Sequence, residues 1–461
     1  MKISIIIPIH NSEEYLRECL ESLSMQDLYD VEFICIDDNS TDSSREILQE
    51  YADRDQRFRL INDPDGSYGH KINRGIAEAK GKYIGIVESD DKVSLNMFST
   101  LYSYAEEYQV DFIKSNYYTF ITISEGTLQT ITNVVNNSTL YGEALDISSN
   151  HQLITIKSGT GIWSGIYNRE FLLDNHISLN ETPGASYQDT GFNFFVALHA
   201  RRAYFLNTPL YWYRTDNVSS SVKDERKAMM IREEFRLIVE KLENNNLLIN
   251  EVLSLIATRK FTAYWWNITR LSLENRIVFI NAVLEEILGD INNNLVIWSE
   301  LSSEACIFYK GLLEGESKAL DDLKNREQYV KRVIIDTFNK IKSNQSLILF
   351  GAGIVGISTL GRLISMGKII NSNSVLCLCD NNADLWGRDI QGIPIMAPQE
   401  AINNFPDADY IITCNKYADE IKNQLLSLNI KESQILVHDV YGMYTDLAAL
   451  KGIWMEYYEE M

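Results

Sequence analysis

The sequence lacks any apolar stretch long enough to span a bilayer, and it has few basic residues relative to acidic ones. Its 461 residues include 42 Lys and Arg against 64 Asp and Glu, which gives a formal net charge of −22 at pH 7. That charge repels phosphate backbones and anionic lipid headgroups, so we expect no nucleic-acid partner. An anionic ligand would need a metal ion or a local basic patch to offset the repulsion.

Cysteine is also scarce, and the six cysteines show neither zinc-site nor disulfide-framework spacing. Cys377 and Cys379 would share one face of a strand, which favours core packing over redox chemistry. Met1 leads directly into the strand-like run "KISIIIPIH", which lacks the pattern of a signal peptide. We therefore expect a cytoplasmic protein, free or peripheral at the inner face of the cytoplasmic membrane.

The chain is too long for a single core, and its pattern changes twice. Residues 1–222 alternate short β-branched runs with amphipathic stretches, which predicts an α/β domain with a mostly parallel, doubly wound sheet. Residues 223–342 have helical periodicity and few breakers, which predicts a helical connector or domain. Trp265 and Trp266 in it are expected to be core or interface anchors rather than sugar-stacking platforms. Residues 343–461 return to the strand-and-helix pattern and predict a smaller Rossmann-like α/β domain.

Polar clusters follow three predicted strands of the first domain. They are His10-Asn11-Ser12, Asp37-Asp38-Asn39-Ser40 and Glu88-Ser89-Asp90-Asp91. Each cluster alone is also compatible with a turn and a helix N-cap. Because ligands of open parallel sheets bind at the carboxyl ends of the strands, three clusters at one edge predict a binding site.

Four segments in the first half of the chain resemble glycosyltransferase family 2. They are "ISIIIPIHNSEEYLRECLESLSMQ", "EFICIDDNSTDSSREIL", "NRGIAEAKGKYIGIVESDD" and "YQDTGF", in the order and approximate spacing of that family. The resemblance implies the GT-A fold of nucleotide-diphospho-sugar transferases. It also implies transfer of a hexosyl or N-acetylhexosaminyl group from a nucleotide-diphosphate sugar, with inversion at the anomeric carbon and the help of Mg²⁺ or Mn²⁺.

The resemblance also implies which residues bind the donor. The nucleobase would lie against the residues after the first strand, namely Pro8, His10 and Asn11. Asp38, the second acid of "DDNS", matches the carboxylate that reads the uracil edge. Lys71 lies at the start of a predicted helix that runs to about Ala79. It would contact the base or the diphosphate, or it is a solvated lysine, and the sequence leaves both open.

The segment "ESDD" matches the Asp-x-Asp motif of the family and would make Glu88, Ser89 and Asp90 part of the donor site. The last acid of the motif, Asp90, would bind the metal directly, since Mg²⁺ and Mn²⁺ prefer hard oxygen ligands. Glu88 replaces the usual aspartate and adds a methylene, so its contact with ribose or with the metal shell stays open. Asp91 is expected to be a turn residue or a supporting acid.

Asp189 in "YQDTGF" lies at the start of an amphipathic helix. In the resembling family this position is the general base that deprotonates the acceptor hydroxyl, and the preceding position is usually Glu where this chain has Gln188. Displacement at an anomeric carbon requires a base on the face opposite the leaving group. As an alternative, Asp189 is a helix-start residue favoured by the helix dipole.

Two further segments match the acceptor side and the closing loop of the family. Trp163 would stack on an acceptor sugar or pack in the core. In "YWYRTDNVSSSV", Arg214 and Ser219 would lie near the diphosphate. Asp216 stands where the family often has a histidine, so either it replaces that residue as a metal ligand or the loop closes differently.

The C-terminal run "LILFGAGIVG" places Gly351, Gly353 and Gly356 after a strand and before a helix, with Asp380 at the end of the next strand. This context is what a nucleotide-binding loop requires. It resembles the Rossmann-like domain appended to some bacterial glycosyltransferases. The loop would bind a nucleotide or nucleotide-sugar, or the domain would dock or dimerise with an empty loop. No Tyr-x-x-x-Lys pair for hydride transfer follows it.

Together these features predict an inverting, metal-dependent glycosyltransferase that uses a UDP-sugar in bacterial surface polysaccharide synthesis. Its acceptor would be a glycan or a lipid-linked or protein-linked glycoconjugate. The alternative is a non-catalytic nucleotide-sugar-binding or assembly protein on the same fold. The sequence leaves open whether the protein forms homo-oligomers.

Overall fold

The computed structural model describes residues 1–64, 66–123, 126–135, 137–147, 161–217, 224–325, 346–352, 375–390, 393–413 and 417–437, with the single residues 328, 356 and 359. These form two compact units. The first contains residues 1–121 and 131–301, and the second contains residues 122–130 and 302–461.

The strands up to residue 214 are β1 (Ile3–Ile9), β2 (Val31–Asp37), β3 (Phe58–Asn62), β4 (Tyr83–Ile86), β5 (Lys92–Val93), β6 (Phe112–Ile123), β7 (Gly126–Thr132), β8 (Ala144–Asp146), β9 (Gly165–Asn168) and β10 (Arg202–Arg214). The helices between them are α1 (Glu13–Ser24), α2 (Ser44–Arg54), α3 (Tyr68–Glu78), α4 (Met97–Tyr108), α5 (Arg169–Asp174) and α6 (Gln188–His199).

The central sheet of the first unit has the strand order β3-β2-β1-β4-β9-β6-β10-β5, and β8 pairs with β10. Strands β3, β2, β1 and β4 are parallel, β9 is antiparallel to both of its neighbours, and β10 is again parallel to β6. Every residue of β1 and β2 is buried, as expected for parallel strands covered on both faces. The predicted mostly parallel, doubly wound sheet is confirmed.

The helix predicted to start at Lys71 instead begins at Tyr68. The side chain of Ser67 accepts a hydrogen bond from the backbone N–H of His70 and so caps the first turn. This earlier start places Lys71 inside the helix, where only 6% of the residue is exposed.

The middle of the chain is helical, as predicted. The helices are α7 (Met230–Asn244), α8 (Asn250–Arg270) and α9 (Leu273–Asn292), and all three belong to the first unit. Trp265 on α8 is buried in the core, as expected, whereas Trp266 is only partly buried.

The second unit contains α10 (Ser303–Glu314) and a separate α/β layer. Its strands are β11 (Leu347–Phe350), β12 (Val375–Cys379), β13 (Asp389–Ile390), β14 (Ile393–Met396), β15 (Asp409–Ile412) and β16 (Ile435–Val437), and its later helices are α11 (Pro398–Asn404) and α12 (Ala418–Ser427). The sheet order is β13-β14-β12-β11-β15-β16, parallel except for β13. Cys377 and Cys379 are fully buried on β12, which confirms their packing role. The predicted C-terminal parallel sheet is confirmed.

Candidate functional site

The loops after β1 and β2 interlock at the carboxyl edge of the sheet. Asn11 and Asn39 both have left-handed backbone conformations, with φ of 48° and 52°. The backbone N–H of Asn11 donates to Ser40 Oγ at 3.0 Å, and the N–H of Thr41 donates to Asn11 Oδ1 at 2.8 Å. Asn11 therefore ties the two loops together. Pro8 is buried within β1, ahead of the first of these loops. The donor-binding roles of Pro8 and Asn11 stay predictions.

Asp38 is a buried carboxylate beside two basic side chains. His10 Nδ1 lies 2.8 Å from the backbone oxygen of Asp38, and the His10 ring is more than half exposed. Lys71 Nζ lies 3.6 Å from Asp38 Oδ2 and donates to the backbone oxygen of Ile9 at 3.3 Å. Burial lowers the pKa of Lys71, and the charge of Asp38 counteracts the shift. Because Lys71 is buried and paired, the solvated alternative is wrong.

Glu88 follows β4 and is held by two tyrosines. Its Oε1 accepts a hydrogen bond from Tyr68 Oη at 2.5 Å, and its backbone N–H donates to Tyr211 Oη at 3.1 Å. Burial raises the pKa of Glu88 to about 7, the Tyr68 hydrogen bond lowers it, and the negative charges of Asp90 and Asp189 raise it further. Glu88 is thus within electrostatic reach of both acids.

One of the two carboxylate oxygens of Asp90 is hydrogen-bonded. Its Oδ2 accepts a hydrogen bond from Asn217 Nδ2 at 2.7 Å, while its Oδ1 has no hydrogen-bond partner among the described residues. The neighbouring Ser89 hydroxyl lies 2.8 Å from the hydroxyl of Ser12, which joins this turn to the start of α1. Asp90 is therefore held in place with an oxygen left for a ligand.

Asp91 is a supporting acid and is 1% exposed. Its Oδ2 accepts from Tyr211 Oη at 2.7 Å, and its Oδ1 accepts from the backbone N–H of Arg214 at 2.7 Å. Burial and the charge of Asp90 raise the pKa of Asp91 well above its usual range. Asp91 thus fastens the end of β10 to the turn that carries Asp90.

The guanidinium of Arg214 lies on this turn as well. It donates to the backbone oxygen of Asp90 at 2.8 Å, forms an ion pair with Glu18 and lies 3.4 Å from Asp216. The rings of Tyr15 and Phe120 lie 4.4 and 4.6 Å from it. Asp216 therefore pairs with Arg214, and its role as a metal ligand stays a prediction. Ser219 lies outside the described residues.

No group of three or more His, Cys, Asp or Glu in the described parts of the chain is arranged to cage a metal ion. Mg²⁺ in phosphate-transfer sites is commonly held by one or two carboxylates together with substrate phosphates. Asp90, with one carboxylate oxygen free of hydrogen bonds among the described residues, would suit that mode, and the donor diphosphate would supply further ligands.

Asp189 lies in the first turn of α6, after Tyr187, whose backbone is left-handed with φ of 66°. Burial raises the pKa of Asp189 to about 6, and the positive charges of Arg259 and Lys114 lower it. A carboxylate with this pKa is ionised near neutral pH and is more basic than an ordinary aspartate. That combination suits a general base.

Lys114 is fully buried beneath this turn. Its Nζ donates to Asn193 Oδ1 at 2.6 Å and to the backbone oxygen of Gly161 at 3.1 Å. Asn193 in turn donates to the backbone oxygen of Asp189 at 2.9 Å. Burial lowers the pKa of Lys114 to about 7, and the charge of Arg259 contributes to the decrease.

Glu234 on α7 accepts a hydrogen bond from the N-terminal end of α6. It is 1% exposed, and its Oε1 accepts from the backbone N–H of Gly191 at 3.1 Å. A Cβ at position 191 would collide with that oxygen. Gly191 therefore lets a buried carboxylate satisfy the first turn of the helix that carries Asp189.

We expect Gly191→Ala to destabilise the protein by about 1–3 kcal/mol, because the added methyl displaces Glu234 and leaves its carboxylate without this hydrogen bond. The measurement is thermal denaturation. Gly289→Ala on α9 is the matched control, since nothing lies within 4 Å of the added methyl there. Alanine should stabilise that helix by up to about 1 kcal/mol. Equal melting temperatures for the two variants would contradict the predicted collision between a methyl group at position 191 and Glu234.

Trp163 packs against aromatic side chains from neighbouring strands. Its ring stacks on Tyr211 and Tyr213, with centroid distances of 4.4 and 5.1 Å, and meets Tyr117 edge-on at 4.7 Å. It is only partly buried. The stacking supports the alternative of core packing, and the acceptor contact stays a prediction. Through Tyr211, Trp163 also supports the hydrogen bonds to Glu88 and Asp91.

In the second unit, the glycine loop after β11 is hydrogen-bonded to Asp380, the acidic residue after β12. Asp380 Oδ2 accepts from the backbone N–H of Ala352 at 2.8 Å. Gly351 has φ of 117°, and a Cβ on Gly356 would collide with the Gly351 carbonyl oxygen. Gly353 lies outside the described residues. Asp380 thus organises the loop, and binding of a nucleotide stays a prediction.

Several residues of the site have no sequence motif that would identify them. They are Glu18, Tyr68, Lys114, Tyr211, Asn217, Glu234 and Arg259. Tyr211 and Asn217 flank the "YRTD" segment, so their closeness to Arg214 is the one available signal. The others lie on helices and strands outside the motifs, and only the folded structure brings them to the acids.

Comparisons with known proteins concern the family and the fold. Residues 4–159 match the family model for glycosyl transferase family 2, and residues 343–436 match a model described as C2185-like, N-terminal. Among the described helices, none combines the length and apolar character needed to cross a membrane.

Two curated relatives match part of the chain. An uncharacterized glycosyltransferase of Bacillus subtilis, EpsJ, is 33% identical over 214 residues, which are 46% of this chain and 60% of that protein. The poly(ribitol-phosphate) beta-glucosyltransferase of Bacillus spizizenii is 42% identical over 117 residues, 24% of this chain and 18% of that protein. The chain thus spans less than two thirds of the length of either relative.

A solved structure shares the fold. The crystal structure of S. aureus TarS 1-349 in complex with UDP-GlcNAc is 23% identical, with a TM-score of 0.51, and the match covers 70% of this chain and 89% of that chain. The chain therefore carries, at its N-terminal end, a glycosyltransferase family 2 domain with the GT-A fold.

Proposed function

We propose that this protein is an inverting, metal-dependent glycosyltransferase. It transfers a hexosyl or N-acetylhexosaminyl group from a UDP-sugar to a hydroxyl of a glycan or of a lipid-linked or protein-linked glycoconjugate, in bacterial surface polysaccharide synthesis. The observation that carries this proposal is the position of Glu88, within electrostatic reach of Lys71, Asp90 and Asp189. This closeness supports a single site for the predicted donor, metal and base residues.

The relatives support the choice of donor and acceptor class. The S. aureus neighbour was crystallised with UDP-GlcNAc, and one relative is named for glucosyl transfer to poly(ribitol phosphate). A UDP-sugar and a surface glycopolymer are accordingly the first substrates to try.

In this mechanism, Asp38 accepts a hydrogen bond from the uracil edge and Lys71 supplies positive charge beside it. Asp189 takes the proton of the acceptor hydroxyl as its oxygen attacks the anomeric carbon on the face opposite the leaving UDP. Mg²⁺ or Mn²⁺ bound by Asp90 and the diphosphate would neutralise the charge of the leaving group. Arg214 and Asp91 keep the Asp90 turn in its binding geometry.

We further propose that residues 1–222 catalyse transfer, that residues 223–342 are a helical connector or domain, and that residues 343–461 bind a nucleotide or serve in docking or dimerisation. The proposed location is the cytoplasm, at the inner face of the membrane when the acceptor is lipid-linked. The second candidate function is a non-catalytic nucleotide-sugar-binding or assembly protein.

The experiment is a thermal denaturation screen of the full chain with UDP-, GDP- and TDP-sugars, with and without Mn²⁺, followed by an assay of UDP release and sugar transfer. A ligand present at about 100 times its Kd stabilises the folded state by about 2.7 kcal/mol. We expect a UDP-sugar to raise the melting temperature only when Mn²⁺ is present, and we expect the protein to release UDP and transfer the sugar. Binding without any turnover favours the second candidate, and the absence of both contradicts the proposal.

A further inference from the structure

Lys114 lies in the interior of the central sheet of the first unit. It is a residue of β6, where it pairs with Gly165 on β9 and with Phe205 on β10, and only 1% of it is exposed. Burying an amine is costly, whereas a methionine would fill a similar space without that loss of hydration. Packing of the sheet therefore does not explain a lysine at this position, and its hydrogen bonds indicate another role.

The amine of Lys114 joins two separate segments of the site. Its Nζ donates to the backbone oxygen of Gly161 at 3.1 Å and to Oδ1 of Asn193 at 2.6 Å. Gly161 directly precedes the short 3₁₀ turn Ile162–Ser164, which carries Trp163, and Asn193 lies on α6. A lysine amine has N–H donors for both oxygens whether it is charged or neutral. Lys114 therefore ties the Trp163 turn to helix α6 on both sides of its pKa.

The contact with Lys114 also sets the direction of the Asn193 amide. Because the lysine donates, Asn193 turns its oxygen towards Nζ, and its Nδ2 donates to the backbone oxygen of Asp189 at 2.9 Å. Asn193 lies four residues after Asp189, so the two face each other across one turn of the helix. An amide turned the other way would place its oxygen against the Asp189 carbonyl, and two acceptors repel each other. Lys114 thus acts on the backbone of Asp189 through Asn193.

Two other contacts hold the same turn of α6. Glu234 accepts from the backbone N–H of Gly191 at 3.1 Å, and α8 provides a guanidinium that donates to the Tyr187 hydroxyl at 2.6 Å. These contacts fix residues on either side of Asp189. The hydrogen bond from Asn193 reaches Asp189 itself, so its loss should displace that residue most directly.

We propose that Lys114 is a positioning residue that holds the base, Asp189, in place through Asn193. This inference rests on the proposed function, because it takes Asp189 as the base. The direction in which the Asp189 carboxylate projects depends on the backbone of its own turn. A displacement of about 1 Å at a reacting group can lower a rate by about 100-fold. Lys114 therefore sets the rate of proton transfer through the geometry of this turn.

The test is a double-mutant cycle on the full chain with Lys114→Met, Asn193→Leu and the double variant. Asn193→Leu alone leaves the buried amine without its side-chain acceptor, so we expect a lower melting temperature. Replacing both partners with apolar side chains of similar size removes that unsatisfied contact. The double variant should therefore melt closer to the wild type than Asn193→Leu does. Thermal denaturation measures this recovery.

Sugar transfer should not recover with stability. We expect all three variants to lower kcat by about 10- to 100-fold, and we expect the Kd of UDP to stay within about twofold of the wild-type value. Because Lys114 and Asn193 form one relay, the double variant should be about as slow as the slower single variant. Single-turnover transfer and UDP calorimetry measure the two quantities.

Lys260→Met is the matched control. The side chain of Lys260 is only 14% exposed, and it forms an ion pair with Asp290 at 2.6 Å between α8 and α9. Breaking this ion pair should lower the melting temperature, because Asp290 loses its partner, while kcat should stay near the wild-type value.

Several results would overturn the inference. If the double variant regains both stability and kcat, Lys114 serves folding alone. If Lys114→Met is slow and Asn193→Leu is not, the charge of Lys114 matters rather than the relay. A Kd of UDP that rises as far as kcat falls would indicate general damage to the site.

The outcome for the wild type separates this inference from the proposed function. A wild type that releases no UDP and transfers no sugar from any UDP-sugar would refute the proposed function, and the inference with it. A wild type that turns over, with Lys114→Met and Asn193→Leu as fast as Lys260→Met, would refute the inference alone.

Discussion

Replacing Asp189 with Asn should lower kcat by about 10²–10⁴-fold, or about 3–5 kcal/mol of transition-state stabilisation, with little change in UDP binding. Asparagine has the shape of aspartate but cannot accept the acceptor proton. The carboxylate also lies on α6, away from the loops that hold Asp38, so the nucleotide should bind as before. Single-turnover transfer and UDP calorimetry measure the two quantities separately.

The same prediction has a pH signature. Burial raises the pKa of Asp189 to about 6, and only the ionised form is a base. We expect log kcat of the wild type to be level above that value and to fall with decreasing pH below it, and we expect Asp189→Asn to lose this limb. Asp174→Asn, which removes an exposed charge at the end of α5, serves as the control. If Asp189→Asn keeps more than about a tenth of the wild-type kcat, Asp189 is not the general base.

Replacing Asp90 with Asn should abolish the effect of Mn²⁺ on UDP binding and lower kcat on the order of 10²–10³-fold. The side-chain oxygen that accepts from Asn217 can be kept by the amide, so the turn should retain its shape. What is lost is the negative charge that attracts a hard cation.

Two observations decide this second prediction. In the wild type, the Kd of UDP should rise when the metal is chelated, and in Asp90→Asn it should be insensitive to chelation. Asp53→Asn on α2 removes an exposed charge outside the site and should behave as wild type. Wild-type UDP binding that does not respond to chelation would show that Asp90 holds no metal in the donor complex.

Much of the fold follows from sequence pattern alone. The fully apolar run of β1 and the spacing of apolar residues in α1 predict a buried parallel strand followed by a covering helix, and both form as expected. Local periodicity is sufficient here because each element buries one continuous face. The start of α3 was misplaced, since its cap depends on the single side chain of Ser67, which the hydrophobic pattern does not register.

The site is less predictable than the fold, because its acids are held by residues remote in the chain. Asp91 reads as a turn acid in the sequence, yet it is buried and bonded to Tyr211, which lies 120 positions later. Lys71 reads equally well as a surface lysine, and only its burial against Asp38 excludes that.

The sequence by itself determined the α/β architecture, the helical middle region and the edge of the sheet where the acids collect, because these depend on local periodicity and on the polar residues that end each strand. The tertiary structure decided what surrounds those acids. Burial at the start of α6 raises the pKa of Asp189, and α8 brings Arg259 to it across 70 residues of chain. Desolvation and long-range charge depend on three-dimensional neighbours, so no local pattern encodes them.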